Sequence, residues 1–247
     1  MTDNINKLNV KDFLIDYNDF KQIDIDKSLS IIKTYPNNDW HNSILNKWND
    51  TYDYSVYNDE YYFCEVWFSW SKYARKYINQ IIKCEYTNNF FKNNNSCLDL
   101  GNGLGLSSIY LKQQFSNLKV YGSNIKDTTQ WNYNLQNTKK YDYEMISDLN
   151  ELDNIDIIFA SEYFEHIQNP IEHLTEILKL KPKMLVIANS FNTIAIGHFR
   201  EYMINDELVN EKLISRKFNK YLRDNGYTAK KLNFWNNRPA VWVKNDL

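Results

Sequence analysis

The sequence predicts an α/β protein: a doubly wound, mostly parallel seven-stranded sheet that ends in an antiparallel hairpin, preceded by a mainly helical segment. Three observations carry that prediction. From residue 96 onward, short apolar runs alternate with longer stretches of helical periodicity. Three of the six glycines cluster at Gly101, Gly103 and Gly105, between the first such run and the first helix of the series. The last two runs, 227–234 and 240–244, are joined by residues 235–239 alone, too few for a crossover helix, so they must pair antiparallel.

The elements follow in order. Residues 1–92 form an aromatic-rich, mainly helical cap, and residues 93–247 the sheet domain, with the polar stretch 93–96 as boundary. Within the cap, 12–15 and 29–32 read as short helices. Residues 61–83 carry Phe63, Val66, Trp67, Trp70, Ala74, Tyr77, Ile78 and Ile81 at helical spacing, which makes one face apolar. Ser96-Cys97-Leu98-Asp99-Leu100 is a buried strand, and 104–115 a helix with Leu104, Ser108, Leu111 and Phe115 on one face. Then come a strand at 118–121, a helix at 126–137, a short strand at 143–146 and a strongly β-branched strand at 155–160. Asn169-Pro170-Ile171-Glu172 starts a helix, with Asn as cap, Pro in the first turn and Glu three residues past the cap. That helix stops before Lys181-Pro182, and 184–188 is another buried strand. Residues 207–223, with Leu208, Val209, Leu213, Ile214, Phe218, Tyr221 and Leu222, read as a helix closed by Gly226.

Composition narrows the class. Hydrophobic residues at 43% and aromatics at 16% supply a core, so disorder throughout is excluded. No uncharged apolar run approaches the roughly 18 residues of a membrane span, and Met1-Thr2-Asp3-Asn4 does not open a signal peptide. A cytoplasmic protein is expected. Cys64, Cys84 and Cys97 have neither metal-type nor redox-type spacing, so no metal is expected. The net charge of −2 hides an asymmetry: residues 179–244 hold thirteen Lys and Arg against five Asp and Glu, a face for an acidic partner or simply a solvated one.

The chemistry sits in Leu98-Asp99-Leu100-Gly101-Asn102-Gly103-Leu104-Gly105. Without side chains at 101, 103 and 105, the backbone can turn tightly and approach a ligand. This segment resembles the first motif of class I S-adenosylmethionine-dependent methyltransferases, an apolar-acid-apolar run followed by Gly-x-Gly-x-Gly. The order of elements over about 95–247 is similar to that family too, and implies its Rossmann-like fold. A nicotinamide-binding domain would show a Gly-x-Gly-x-x-Gly spacing and no terminal hairpin. A phosphate-loop lysine and a hydrolase serine elbow are both missing.

The resemblance implies S-adenosylmethionine as cofactor and a set of residues to hold it. Asp99 would stand near the methionine amino group, and Gly101, Asn102, Gly103 and Gly105 would line the methionine and ribose. The family usually has an acid at the end of the second strand for the ribose hydroxyls; here Asn124 stands in that place, a departure that loses the charge-assisted bond. An acid restored at 124 is expected to be tolerated and to tighten binding. Asp148, after the third strand, would accept from the adenine amine or act as a turn residue. Ser161 at the end of the fourth strand would complete the cofactor site. Glu162, Tyr163 and His166 follow as candidate catalytic residues, since open α/β sheets bind ligands at the carboxyl ends of their strands. Glu165 reads as a support, and His173 as structural or exposed.

The acceptor is argued by elimination. No cysteine follows a proline, as cytosine-C5 transfer commonly requires, and Ser161-Glu162-Tyr163-Phe164 lacks the paired prolines usual in exocyclic-amine DNA methylation. A small-molecule acceptor with an oxygen or nitrogen nucleophile is therefore expected. A nucleic-acid acceptor, stacked on Tyr54, Tyr57, Tyr61, Tyr62, Trp67 or Trp70 and attracted by the basic C-terminal third, is the alternative. A non-catalytic cofactor-binding partner subunit is a further one. Trp235, Asn236, Asn237 and Arg238 form a small polar cluster in the hairpin loop, with Arg238 suited to a carboxylate or phosphate. Removing residues 1–60 is expected to spare cofactor binding better than turnover.

Overall fold

The computed structural model describes residues 10–232 and 238–245. Trp235, Asn236 and Asn237 of the expected hairpin loop lie outside the described residues, as do Asn233 and Phe234 at the end of the expected 227–234 strand.

The N-terminal part is helical throughout: α1 (Val10–Lys21), α2 (Ile25–Thr34), α3 (Asp39–Thr51), α4 (Phe63–Ser69), α5 (Arg75–Lys83) and α6 (Glu85–Asn93). Local caps set several starts. Asp24 Oδ1 accepts from the N–H groups of Asp26 and Lys27, and Asn38 Oδ1 from that of His41, which satisfies amides the first turns leave unpaired. The 61–83 stripe is a single rod in which α4 and α5 are joined by a π-helical turn, Trp70–Ala74. Such a turn inserts one residue and rotates the helix beyond it, and it is uncommon outside functional sites.

The sheet contains β1 (Ser96–Leu100), β2 (Lys119–Ser123), β3 (Glu144–Ile146), β4 (Ile157–Ser161) and β5 (Met184–Ala188), all parallel. After β5 come a separate ribbon of β6 (Glu201–Ile204) and β7 (Glu207–Asn210), then β8 (Tyr227–Lys230) and β9 (Ala240–Lys244). The sheet order is β3-β2-β1-β4-β5-β9-β8, with β9 antiparallel to both neighbours, the expected terminal hairpin. Helices α7 (Leu106–Gln114), α8 (Thr129–Tyr141), α9 (Pro170–Lys179) and α10 (Glu211–Asp224) complete the doubly wound layers.

Strand periodicity divides the core in two. Ile157, Phe159, Met184, Val186, Val241 and Val243 join one apolar cluster with α1, α5, α6 and α7. Ile158, Ala160, Leu185, Ile187 and Trp242 join the other, with α9, α10 and the indole of Trp48. Phe13, Tyr17, Ile78 and Ile81 thus share a core with the sheet, and Trp48 donates its indole N–H to the His198 carbonyl at 2.8 Å. Removing residues 1–60 would strip part of that core and part of the roof of the site, so the truncation is now expected to weaken cofactor binding together with turnover. The reason is that the cap has no core of its own.

The helix expected over 207–223 is shorter. Its first four residues are β7, paired with β6 around Asn205-Asp206, both with positive φ (50° and 64°). That two-residue turn suits a hairpin, and α10 begins only at Glu211, capped by Asn210 Oδ1 accepting from the Leu213 N–H at 2.9 Å. Ribbon formation lets Tyr202 bury completely while Val209 packs beside it, which a helix from 207 would not.

The order of strands places the site. The chain winds outward from β1 through β2 to β3, then returns to the other side with β4 and β5, leaving a crevice at the carboxyl ends of β1 and β4.

Candidate active site

A cavity of about 880 Å³ fills that crevice. Its floor is Asp99 to Gly103 and Ser161 to Tyr163; its roof is cap, including His41, Tyr57, Tyr62, Glu65, Phe68, Trp70 and Tyr77. Tyr54, Tyr57, Tyr62 and Trp70 of the aromatics singled out above face it, whereas Tyr61 and Trp67 belong to the apolar cluster around α1.

The glycine turn depends on backbone that side chains disfavour. Gly101, Gly103 and Gly105 have φ of 62°, 56° and 84°. They also face different neighbours. A Cβ on Gly101 would strike the ring of Tyr163; one on Gly103 would lie 2.8 Å from Val66 of α4; one on Gly105 would collide with Asn134 and lie 2.6 Å from the Tyr143 hydroxyl. The first two positions border the cavity and the third is in packed interior.

Asp99 is 1% exposed, and its Oδ2 accepts from Ser107 at 2.6 Å and Ser108 at 2.7 Å, both on α7. Burial raises its carboxyl to about 7, against the pull of the two hydroxyls. Asn102 points into the protein instead: its amide donates to Ser108 Oγ and Asn134 Oδ1, each at 3.1 Å. Its backbone N–H meets the Ser123 carbonyl at 3.0 Å, so it ties the turn to β2. Asn124 also braces the turn. Its Nδ2 donates to the Gly103 carbonyl at 2.8 Å and to Gln130 Oε1 at 3.2 Å, and its Oδ1 accepts from the Ile125 N–H. Asp148 caps a short 3₁₀ turn, 149–151, accepting from the Asn150 N–H at 2.8 Å, with Glu151 reaching back to the Ser147 and Asp148 amides.

These bonds reverse the expectation for Asn124→Asp. A carboxylate has no proton for Gly103, and it would place negative charge against that carbonyl. Gln130 can rotate its amide, whose Nε2 has no partner, toward the new acid. Losing one donated bond and gaining a repulsion costs about 1 kcal/mol. We expect Asn124→Asp to bind S-adenosylhomocysteine several-fold more weakly in calorimetry, and tighter binding would show that the brace is dispensable.

At the end of β4, Glu162 has φ of 51°, uncommon for a residue with a side chain, and its N–H donates to the Ala188 carbonyl at 2.7 Å. Tyr77 donates its hydroxyl to Glu162 Oε1 at 2.8 Å. Glu165 is fully buried; the Ser190 N–H donates to its Oε1, while Oε2 has no partner as a carboxylate. Burial, and then the adjacent Glu162 charge, raise Glu165 well above the usual carboxylate range. Glu165 therefore keeps its proton and presents it to Glu162.

Tyr163 lies over Gly101 and hydrogen-bonds His173 Nε2 at 2.8 Å. His173 thus lines the cavity rather than standing exposed. His166 Nδ1 meets the Tyr57 hydroxyl at 3.0 Å, and its ring packs edge-on against His198 at 4.6 Å. Burial, then His198, pushes His166 well below the usual histidine value, so the ring is neutral. Sequence reasoning also missed His41, Glu65 and His198, which the loops and the cap bring in from far along the chain. Arg238 lines the wall and donates to Ser190 Oγ at 2.7 Å.

Three acids here bind protons into the neutral range: Asp99, raised to about 7, Glu65, raised to about 8, and Glu165, raised well above the usual carboxylate range, all chiefly by burial. Unfolded, they would ionise above roughly pH 4.5. The native state then binds more protons than the unfolded one, so stability falls as pH rises. Half-buried His41, His166 and His173 and buried His198, held low by desolvation, act oppositely, but only below roughly pH 6.5. The unfolding free energy is therefore expected to fall between about pH 6.5 and 8, at up to about 1.4 kcal/mol per pH unit for each proton retained, and the melting temperature with it. A flat or rising profile would mean the acids are ionised in the native state.

With this geometry in hand, comparison with known proteins is decisive on family. A methyltransferase domain family model matches residues 70–237. The chain belongs to that family, within the class I S-adenosylmethionine-dependent superfamily. No curated protein matches it in sequence. Among solved structures, an O-methyltransferase family protein from Burkholderia thailandensis superposes with a TM-score of 0.51 at 12% identity, covering 78% of this chain. The chain spans 60% of the length of that protein. A SAM-dependent methyltransferase from Aquifex aeolicus gives a TM-score of 0.41 at 16% identity, over 68% of this chain and 95% of its own. The first likeness is one of fold. Among the described residues no His, Cys, Asp and Glu cluster could hold a metal, the three cysteines are free, and no helix is long and apolar enough to cross a membrane.

Proposed function

We propose that this methyltransferase-family chain moves a methyl group from S-adenosylmethionine to an oxygen or nitrogen nucleophile on a small molecule held beneath the cap. The observation that carries the reading is a single cavity running from the glycine turn to Glu162, closed above by cap side chains. A volume of about 880 Å³ is at the upper end for one ligand, which suits cofactor and acceptor together.

The residues fit the cofactor. Bare backbone at Gly101 and Gly103 leaves room for close approach, and the buried Asp99 carboxyl would gain its charge beside an ammonium. Asp148 and Ser161 line the ends of the same trough, and Asn124 holds its edge through Gly103. The cofactor, when bound, supplies an electrophilic methyl carbon on a sulfonium. The protein's work is alignment and exclusion of water. Glu162 is the candidate base: it would take the proton of an acceptor hydroxyl, with Tyr77 fixing one carboxylate oxygen and Glu165 keeping its own proton. A neutral amine would need no such base. Tyr163 and His166, both engaged by neighbours, serve as walls.

A second reading has one observation in its favour. Arg238 borders this cavity and also a separate depression lined by Lys212 and Arg216, a row suited to phosphates of a nucleic-acid acceptor. Incubation with methyl-labelled cofactor and a host extract, followed by fractionation and mass spectrometry, separates the two. Label in small molecules supports the first reading. Label in nucleic acid, lost with added salt, supports the second.

A further inference from the structure

The roof carries a carboxyl with one buried oxygen that the protein leaves without a hydrogen-bond partner. Glu65, on α4, lines the cavity, and its Oε2 is buried with no hydrogen-bond partner. His41 Nδ1, on α3, is likewise buried, without a partner and at the same cavity. The rings of Tyr62, Phe68 and Tyr73 line the same cavity. A buried carboxyl with no partner is costly, and proteins retain one where a ligand completes it.

The acceptor end holds two carboxyls and one guanidinium. Among the described residues, Arg238 is the one Lys or Arg lining the cavity, and it is engaged by Ser190. Beside it stand Glu162 and the Glu65 carboxyl, which is uncharged until a cation arrives, with Asp148 toward the cofactor end. The intervening sequence 233–237 adds no charge. Tyr73, Glu162, Glu65 and Arg238 line the same cavity. Carboxylates set among aromatic faces favour a cation, through charge pairing and through the ring quadrupoles.

We propose that the acceptor carries a basic amine, held as an ammonium by the Glu65 carboxylate within the aromatic roof. The proposal rests on reading the cavity as the acceptor site and adds the chemical class of what enters it. Burial leaves Glu65 protonated when nothing is bound, raised to about 8, and an arriving ammonium supplies the partner that ionises it. Glu65 acts here in recognition; the nucleophile of the same molecule would lie toward Glu162.

The test uses the full chain saturated with S-adenosylhomocysteine and three probes that differ in one group: phenethylamine, 2-phenylethanol and phenylacetate. Calorimetry should show phenethylamine binding at least tenfold more tightly than 2-phenylethanol, and phenylacetate more weakly than either. Glu65→Gln, which keeps the shape and should not lower the melting temperature, should erase most of the amine preference. Equal binding of amine and alcohol, no binding of the amine, or an amine preference intact in Glu65→Gln would each overturn the proposal. Failure of S-adenosylhomocysteine itself to bind would instead overturn the cofactor reading on which it rests, so the two failures are told apart in one experiment.

Discussion

Glu162→Gln is expected to lower kcat by about 10²–10⁴-fold on a hydroxyl acceptor, the usual contribution of a positioned base. Its affinity for S-adenosylhomocysteine should stay nearly unchanged. The amide keeps the shape of the carboxylate and can still accept from the Tyr77 hydroxyl, 2.8 Å away in the native chain, and from the protonated Glu165. What it lacks is a lone pair basic enough to take a proton. The measurement pairs steady-state rates with cofactor-product titrations. Rate and affinity falling together would make Glu162 a prop of the cofactor site, and an unchanged rate would mean the acceptor arrives as a neutral amine.

Gly101→Val should weaken S-adenosylhomocysteine binding at least about a hundredfold, or about 2.8 kcal/mol. At φ of 62° a side chain costs roughly 1–2 kcal/mol, and its Cβ meets the Tyr163 ring. That ring is tethered to His173 at 2.8 Å, so the valine and the displaced tyrosine must share the space the cofactor needs. Gly105→Ala is the contrasting variant. Its Cβ enters the interior beside Asn134 and Tyr143, so the loss should appear first in melting temperature. A folded Gly101→Val chain that binds normally would move the cofactor away from this turn.

Much of the fold was legible because local pattern and tertiary environment agree. The strands at β4 and β5 are almost wholly apolar runs, and buried parallel strands require such runs on both faces. The start of α9 was legible in Pro170 at its first turn, although the Asn169 side chain makes no capping bond to a backbone amide. The segment 207–223 was misread because Leu208 and Val209 fit a helical face as well as a ribbon. The Asn205-Asp206 turn decided between them.

The candidate site was legible only in part. The glycines and Asp99 are contiguous, and a tight turn leaves its mark in adjacent residues. Asn124 stood where a ribose-binding acid was sought. That its amide braces Gly103 could not be read, since the two residues are joined only when β2 lies beside β1. Glu65, His41, His173 and His198 carried no sequence signal: isolated titratable residues on helices and loops look like surface until the fold covers them.

The amino-acid sequence by itself determined the doubly wound sheet, the terminal hairpin and the glycine turn, because each is written in residues near one another or in a period of two. Tertiary structure alone decided which groups share the cavity, that Glu165 holds its proton beside Glu162, and that the cap lacks a separate core. Burial and proximity set those properties, and both arise only when segments far apart in the chain meet.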